Sequence, residues 1–148
     1  MGTQENKDVV RQVEEAWDKN RLDELEQHFT SDFDNSGSVV PGMPVGLETA
    51  KQAHGMALQA MPDRRVIIED IVAEGDTVIV RGQARGTDTG GFSWMGVGPT
   101  GRPIKVDFVS VYTLRDGKIA KHWGLNDAFG LAMQLGVIPS PGATAAKN

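Results

Sequence analysis

Apolar residues recur every three to four positions in the first part of the chain, a spacing typical of helices that pack through one face. Residues 9–17 follow this spacing in acidic surroundings and predict a helix that ends near Asn20. Residues 22–29 predict a second, shorter helix. A third helix is predicted over 47–61, where Pro62 stops it.

After Pro62 the chain is rich in Val and Ile and carries two hairpin signals built from Asp and Gly. The strands predicted around these turns are 65–74 with 77–85, and 103–115 with 118–126. A further strand is predicted from Asp32 to Val40. Helices followed by antiparallel strands indicate an α+β fold. We expect a curved antiparallel sheet with the N-terminal helices packed over it, forming a cone with an apolar interior.

The segment 86–102 lies between the two hairpins and holds six glycines around an apolar centre that includes Trp94. A loop of this length is usually a functional lid or a disordered insert, and the lid is favoured. A last helix is predicted over 128–135, with Gly136 after it. Residues 1–137 are expected to form a single domain, and 138–148 a flexible C-terminal tail.

Composition excludes several classes of function. The 148 residues include no cysteine, and the net charge of -5 argues against a nucleic-acid partner. No segment resembles a signal core or a membrane span, so we expect a cytoplasmic protein without a membrane partner. The Gly-x-Gly-x-x-Gly at 96–101 lacks the strand before it and the helix after it that a dinucleotide site needs. The three histidines lack zinc-site spacing, so we expect neither cofactor nor metal.

The order of elements, the MPD at 61–63 and the DGKIAKHW at 116–123 resemble the SnoaL-like polyketide cyclases. These belong to the cone-shaped superfamily that includes ketosteroid isomerase, scytalone dehydratase and nuclear transport factor 2. The resemblance covers about residues 8–137. It implies a homodimer and a cofactor-free pocket for a small apolar, oxygenated molecule. The founding chemistry of the family is an intramolecular aldol ring closure that uses a His and an Asp as acid–base groups.

The resemblance also indicates which residues would carry chemistry. His122 matches the His of the family's His-Trp pair, Asp127 matches an Asp common in that segment, and Asn35 matches a polar residue on the first strand. Ser110 stands where the cyclases have an acid–base His, and Gly124 stands where many members have Asp. The catalytic residues predicted here are therefore His122 and Asp127.

The turn at Asp116-Gly117 decides which side chains share the inner face of the sheet. A two-residue loop places Ser110 opposite Trp123, whereas a three-residue loop places Ser110 opposite His122, and the resemblance favours the second. In that register the inward positions are Val106, Phe108, Ser110, Tyr112, His122 and Asn126. The outward positions, whose apolar character predicts a dimer interface, are Val109, Val111, Ile119, Trp123 and Leu125.

We expect an enzyme that acts on a small polyketide-like or cyclic ketone substrate, with His122 moving a proton α to a carbonyl. A hydroxyl or amide nearby would hold the oxyanion. The predicted ligand-binding residues are Asn35, Phe29, Trp17, Trp94, Phe108, Ser110, Tyr112 and Asn126. Plainer roles stay open: a structural hydrogen bond for His122 and an N-cap for Asp127. The alternative functions are a non-catalytic binding protein of the same fold, or another pocket enzyme such as an epoxide hydrolase.

Overall fold

Five strands form one curved sheet, and three helices accompany it in the computed structural model, which describes residues 2–38 and 41–141. The elements are α1 (Thr3–Asp18), β1 (Phe29–Gly37), α2 (Leu47–Ala60), β2 (Arg65–Glu74), β3 (Thr77–Thr87), β4 (Pro103–Arg115), β5 (Lys118–Asn126) and α3 (Ala128–Gln134). The α+β prediction is confirmed. Residues 39–40 of the predicted first strand, and 142–148 of the predicted tail, lie outside the described residues.

The helix expected over 22–29 is wrong. Two short 3-10 turns, Leu22–Glu24 and Glu26–His28, occupy this segment, and Phe29 begins β1. The spacing of three between Leu22 and Leu25 also fits a 3-10 turn, which has three residues per turn. Leu25 of this segment nevertheless packs into the core, where it is completely buried.

The strands lie in the order β1-β5-β4-β3-β2. Three of the four pairings are antiparallel, as expected, but β1 runs parallel to β5. The sheet is therefore mixed rather than wholly antiparallel. The parallel pairing is possible because β1 and β5 are joined through most of the chain and not by a tight turn.

The hairpin that joins β4 and β5 combines a two-residue turn with a bulge. Asp116 and Gly117 both have positive φ values, 53° and 78°, as a type I′ turn requires. Arg115 accordingly pairs with Lys118. The register then shifts, because Ala120 is an extra residue on β5 without a partner on β4.

Both expected pairings of Ser110 are wrong, because the bulge places Ser110 opposite Gly124. One extra residue also reverses which side chains of β5 face inward, since side chains alternate along a strand. His122 consequently lies on the same face as Ser110, as predicted, although the turn has two residues. Ile119 precedes the bulge, so its expected outward position is wrong and its side chain is completely buried in the core.

Two apolar clusters fill the concave face of the sheet. The first lies under α1, and its buried members are Val10, Val13, Ala16, Leu25, Phe29, Phe33, Val78, Val80, Tyr112, Leu114 and Ile119. The second lies near α3 and the end of α2, and its buried members are Ala60, Met61, Phe92, Ile104, Val106 and Leu135. Along β4 the buried members of the two clusters are separated by Ser110 and by Phe108, which packs against the first cluster.

The glycine-rich segment 86–102 is an ordered loop. The Asp88 carboxylate is completely buried and accepts hydrogen bonds from the Gly91 N–H at 2.9 Å, the Thr100 N–H at 2.9 Å and the Thr100 hydroxyl at 2.7 Å. Phe92 anchors the loop in the second cluster, while Trp94 beside it remains 48% exposed. The alternative of a disordered insert does not hold, and the lid stays a prediction.

Candidate active site

The inner face of the sheet carries small and polar side chains where the two apolar clusters separate. Ser110 on β4 is 8% exposed, and His122 on β5 is partly buried beside it. Gly82 and Gly124 are the cross-strand neighbours of Phe108 and Ser110, so no side chain fills these places. The Phe108 ring lies over Gly82 instead. A few polar groups among apolar side chains are typical of small-molecule sites.

Both ring nitrogens of His122 are hydrogen-bonded to serine hydroxyls. Nε2 lies 2.9 Å from Ser110 Oγ, and Nδ1 lies 2.8 Å from Ser38 Oγ. Ser38 also donates its hydroxyl proton to the carbonyl of Asn35 at 3.1 Å. Because that proton is committed, we assign the imidazole proton to Nδ1, which donates to Ser38, and Nε2 then accepts from Ser110.

His122 is neutral at neutral pH. Burial lowers the pKa of His122 to about 4. The imidazole can therefore accept a proton, which is the state a general base requires. A Cβ on Gly124 would lie 3.0 Å from Cε1 and 3.3 Å from Nε2 of His122. Glycine at this position thus makes room for the His122 ring.

The Tyr112 hydroxyl is hydrogen-bonded to Glu14, a residue that was not among those predicted for the site. The phenol donates a hydrogen bond to Glu14 Oε1 at 2.5 Å, and both side chains are buried. The ring of Tyr112 also lies against that of His122, with centroids 4.9 Å apart. A signal for Glu14 existed, since it follows Val10 and Val13 on the buried side of α1.

Burial favours the uncharged forms of both Glu14 and Tyr112. Burial raises the pKa of Glu14, and the hydrogen bond from Tyr112 and the charge of Arg64 offset only part of that effect. Burial and the neighbouring Glu14 raise the pKa of Tyr112 well above its usual range. Both shifts have the same main cause, which is the removal of these groups from water.

The sequence profile of the SnoaL-like polyketide cyclases matches residues 7–135, nearly the whole chain. The protein belongs to the SnoaL-like polyketide cyclase family. No curated protein matches it by sequence.

Solved structures agree with this membership. IdmH from Streptomyces antibioticus, described as a candidate polyketide cyclase, is 30% identical, with a TM-score of 0.76 over 88% of this chain and 98% of that one. AclR from Streptomyces galilaeus, described as a candidate hydroxylase, is 26% identical, with a TM-score of 0.82 over 99% of this chain and 92% of that one. A SnoaL-like protein from Jannaschia sp. CCS1 shares the fold at 23% identity, with a TM-score of 0.76 over 93% and 95% of the two chains.

Two of the polar residues predicted for this SnoaL-like site are engaged in local structure. The side chain of Asn35 donates to the carbonyl of Gly46 at 3.1 Å and accepts from its N–H at 2.8 Å, which fixes the loop before α2. Asp127 is exposed and caps α3, where Oδ1 accepts from the Gly130 N–H at 2.9 Å. Asn126 is exposed at the end of β5, opposite Phe108.

The predicted aromatic residues are spread over different parts of the fold. Phe29 lies in the first cluster with its ring edge against Phe33, and Trp17 contacts the ring of His54 at a centroid distance of 5.1 Å. Trp94 lies on the 86–102 loop, outside the first cluster. Of the predicted aromatic residues, Phe108 and Tyr112 face inward on β4 near His122.

Two concavities lie away from His122. One of about 300 Å³ is lined by Arg81, Gly82, Asp107, Phe108, Val109, Leu125, Asn126 and Asp127. The other, of about 340 Å³, is a polar crevice that includes His28. Among residues 2–38 and 41–141 no three His, Asp or Glu side chains are grouped to hold a metal ion. No helix in the same ranges is long and apolar enough to cross a membrane.

Proposed function

We propose that this SnoaL-like protein is an acid–base enzyme that needs no cofactor and acts on a small polyketide-like or cyclic ketone substrate. The observation that carries the proposal is the neutral imidazole of His122, which two serine hydroxyls hold on the inner face of the sheet. A ligand would reach Nε2 through movement of the partly exposed Phe108, the neighbouring inward side chain on β4.

In the resting site, Nε2 accepts the Ser110 proton. A substrate carbonyl oxygen would take over that hydroxyl, which frees the lone pair of Nε2. His122 would then remove a proton from the carbon beside the carbonyl, while Ser110 donates to the developing oxyanion. The resulting enolate attacks a second carbonyl of the same molecule. One carbon–carbon bond forms, and the new alkoxide takes the proton back from His122.

The low pKa of His122 limits which carbon acids it can deprotonate. A base that is protonated only near pH 4 is weak, so the C–H bond must be acidic. A carbon between two carbonyl groups meets this requirement, and poly-β-ketone chains are built of such carbons. The buried ring also disfavours a lone imidazolium, unless the oxyanion forms beside it. Both arguments support a β-dicarbonyl substrate over a simple ketone.

A non-catalytic binding protein is the second candidate. Ser38 and Ser110 satisfy both nitrogens of His122, as in a purely structural histidine. Gly124 supplies no carboxylate to raise the basicity of the ring. A binder would use the same inner face for an apolar molecule without any proton transfer.

Deuterium exchange at the α-carbon of 2-acetylcyclohexanone in D2O, followed by NMR, separates the two candidates. We expect the protein to accelerate exchange, and His122→Ala to lose on the order of 100-fold of that acceleration. The matched control is His28→Asn, which changes a histidine in the polar crevice. A melting temperature that rises with the ketone, without faster exchange, would identify a binder. Wild-type exchange by His122→Ala would refute the assignment of the base.

We further propose that the protein is a homodimer through the outer face of its sheet. Val72, Ile79, Val111 and Trp123 pair in sequence across four strands and form one apolar row. The exposed fractions of Val72 and Trp123 are 56% and 42%, and that of the nearby Leu125 is 62%. A contiguous apolar row of this kind is typical of a surface that another protein covers.

A further inference from the structure

Three side chains form a hydrogen-bonded series from the end of β1 through β5 to β4. The Ser38 hydroxyl donates to the carbonyl of Asn35 at 3.1 Å, and its oxygen lies 2.8 Å from Nδ1 of His122. On the other side of the ring, Nε2 lies 2.9 Å from Ser110 Oγ. With the imidazole proton on Nδ1, each group in the series has a partner, and Ser110 donates its proton to the lone pair of Nε2.

This series has the geometry of an activated nucleophile. Hydroxyl nucleophiles of enzymes lie about 2.6–3.2 Å from a general base, and a third group orients that base. Such sets are recognised by their geometry and roles rather than by their sequence positions. Ser110 has the place of the nucleophile, His122 that of the base, and Ser38 that of the orienting group. The proposed ketone reaction uses the Ser110 hydroxyl only as a hydrogen-bond donor and leaves its oxygen unused.

We propose that Ser110 is a nucleophile activated by His122, and that the protein cleaves aryl esters of short apolar acids. This activity goes beyond the proposed function and does not depend on it. Ser110 Oγ bonds to the ester carbonyl carbon while its proton passes to Nε2 of His122. The bond from that carbon to the aryl oxygen then breaks, and the aryl oxide takes the proton from Nε2. The acyl group remains on Ser110.

Water completes the reaction through the same two residues. It bonds to the acyl carbon and gives a proton to Nε2 of His122. Ser110 Oγ then leaves the carbon and takes that proton back, so the acid is released and the resting site is restored. Over the whole cycle one ester and one water become one acid and one phenol.

The inner face of the sheet supplies the other groups that this reaction needs. Asn126 pairs with Phe108, so its amide lies on the same face as Ser110, one diagonal step across β4 and β5. An amide donor at this position would stabilise the tetrahedral oxyanion. Phe108 is the apolar neighbour of Ser110 on this face, and Ser110 itself is only 8% exposed. A short apolar acyl group therefore suits the site better than a long or charged one.

The basicity of His122 accounts for the choice of aryl esters. Burial lowers the pKa of His122 to about 4, so the imidazole is a weak base. A weak base assists attack only on an electrophilic carbonyl with a good leaving group. Aryl esters have both properties, and simple alkyl esters have neither.

The test is covalent labelling with a fluorophosphonate that has a short alkyl chain, followed by peptide mass spectrometry. We expect an adduct on Ser110 and none on Ser36, although Ser36 is exposed on β1. His122→Ala should slow the labelling by on the order of 100-fold. Ser38→Ala should slow it by a smaller factor, because it keeps the base and removes only the orienting group. Ser36→Ala is the matched control. Hydrolysis of 4-nitrophenyl butyrate should fall in the same order.

The chain has no cysteine, which provides a second test if His122→Ala does not fold. Ser110→Cys places a single thiol beside His122, and a neighbouring imidazole increases the thiolate fraction. With iodoacetamide at pH 6, we expect Ser110→Cys to react faster than Ser36→Cys, although position 36 is the more exposed one. A slower reaction of Ser110→Cys would show that His122 does not activate this position.

The absence of a Ser110 adduct, or labelling that does not depend on His122, would overturn the inference. Deuterium exchange of 2-acetylcyclohexanone tests the proposed function separately. Exchange without an adduct would exclude the nucleophile and leave the proposed function intact. An adduct without exchange would support the nucleophile and exclude the ketone reaction.

Discussion

His122 Nε2 and Ser110 Oγ lie 2.9 Å apart, although the two residues are not cross-strand partners. Ser110 pairs with Gly124, and His122 pairs with Tyr112, so the hydrogen bond runs diagonally across β4 and β5. Diagonal neighbours on one face of a sheet are within reach of long side chains. The missing side chain at Gly124 leaves room for the imidazole to lean toward Ser110.

Ser38 should fix the tautomer of His122. With Nδ1 bonded to Ser38, we expect ¹⁵N NMR at neutral pH to show one dominant neutral tautomer, protonated on Nδ1. Ser38→Ala removes that partner and should produce a mixture of tautomers. Ser36→Ala is the control, because Ser36 is exposed on the same segment. An unchanged Nδ1 tautomer in Ser38→Ala would show that Ser38 does not orient the ring.

Acid should destabilise the fold through its buried histidines. The folded-state pKa values of His122 and His54 are about 4, below the ordinary value of 6.5, because both rings are buried. Between these pH values the unfolded chain binds protons that the folded chain does not, so the free energy of unfolding falls as pH drops from about 6.5 toward 4. For His122 the loss is at most about 3 kcal/mol.

The measurement is the melting temperature between pH 7 and pH 4 for the wild type and His122→Asn. The variant should be less stable at pH 7 yet lose less stability on acidification, since it has no imidazole to protonate. Equal slopes for the two proteins would mean that His122 has an ordinary pKa in the folded state.

The strands were predictable from sequence because their signals are local. Alternating Val and Ile and the two Asp/Gly turns indicate β2 to β5, and their observed bounds differ little from those expected. Which side chains of β5 face inward depends on the bulge at Ala120, and nothing in the local sequence indicates that bulge. The expected positions of Ser110 and His122 on one face were right, although the expected pairing was wrong.

The contacts that define the site could not be predicted, because they join residues far apart in sequence. Ser38 and His122 are 84 positions apart, and Glu14 and Tyr112 are 98 positions apart. A single sequence gives spacing along one element but not which elements face each other. Glu14 could have been suspected as a charge on an apolar helix face, but its partner could not have been named.

Two substitutions of Asp127 distinguish a capping role from a catalytic role. Asp127→Ala removes the cap of α3 and should cost about 0.5–2 kcal/mol of stability. Asp127→Ser keeps a cap without a carboxylate, so it should retain both stability and exchange activity. The measurements are urea unfolding and deuterium exchange of 2-acetylcyclohexanone. A stable Asp127→Ser protein with lost exchange would restore Asp127 as a catalytic residue.

The last prediction concerns dimerisation through the apolar outer face of the sheet. Trp123→Lys places a charge in the middle of the apolar row, where a partner sheet would have to bury it, and we expect a monomer by size-exclusion chromatography with light scattering. Trp94→Lys is the matched control, because Trp94 is about equally exposed but lies on the 86–102 loop. A wild-type dimer that persists in Trp123→Lys, or that Trp94→Lys disrupts, would place the interface elsewhere. If the dimer is lost in Trp123→Lys and kept in Trp94→Lys, the interface lies on the outer face of the sheet, because burial in a dimer accounts for the apolar row.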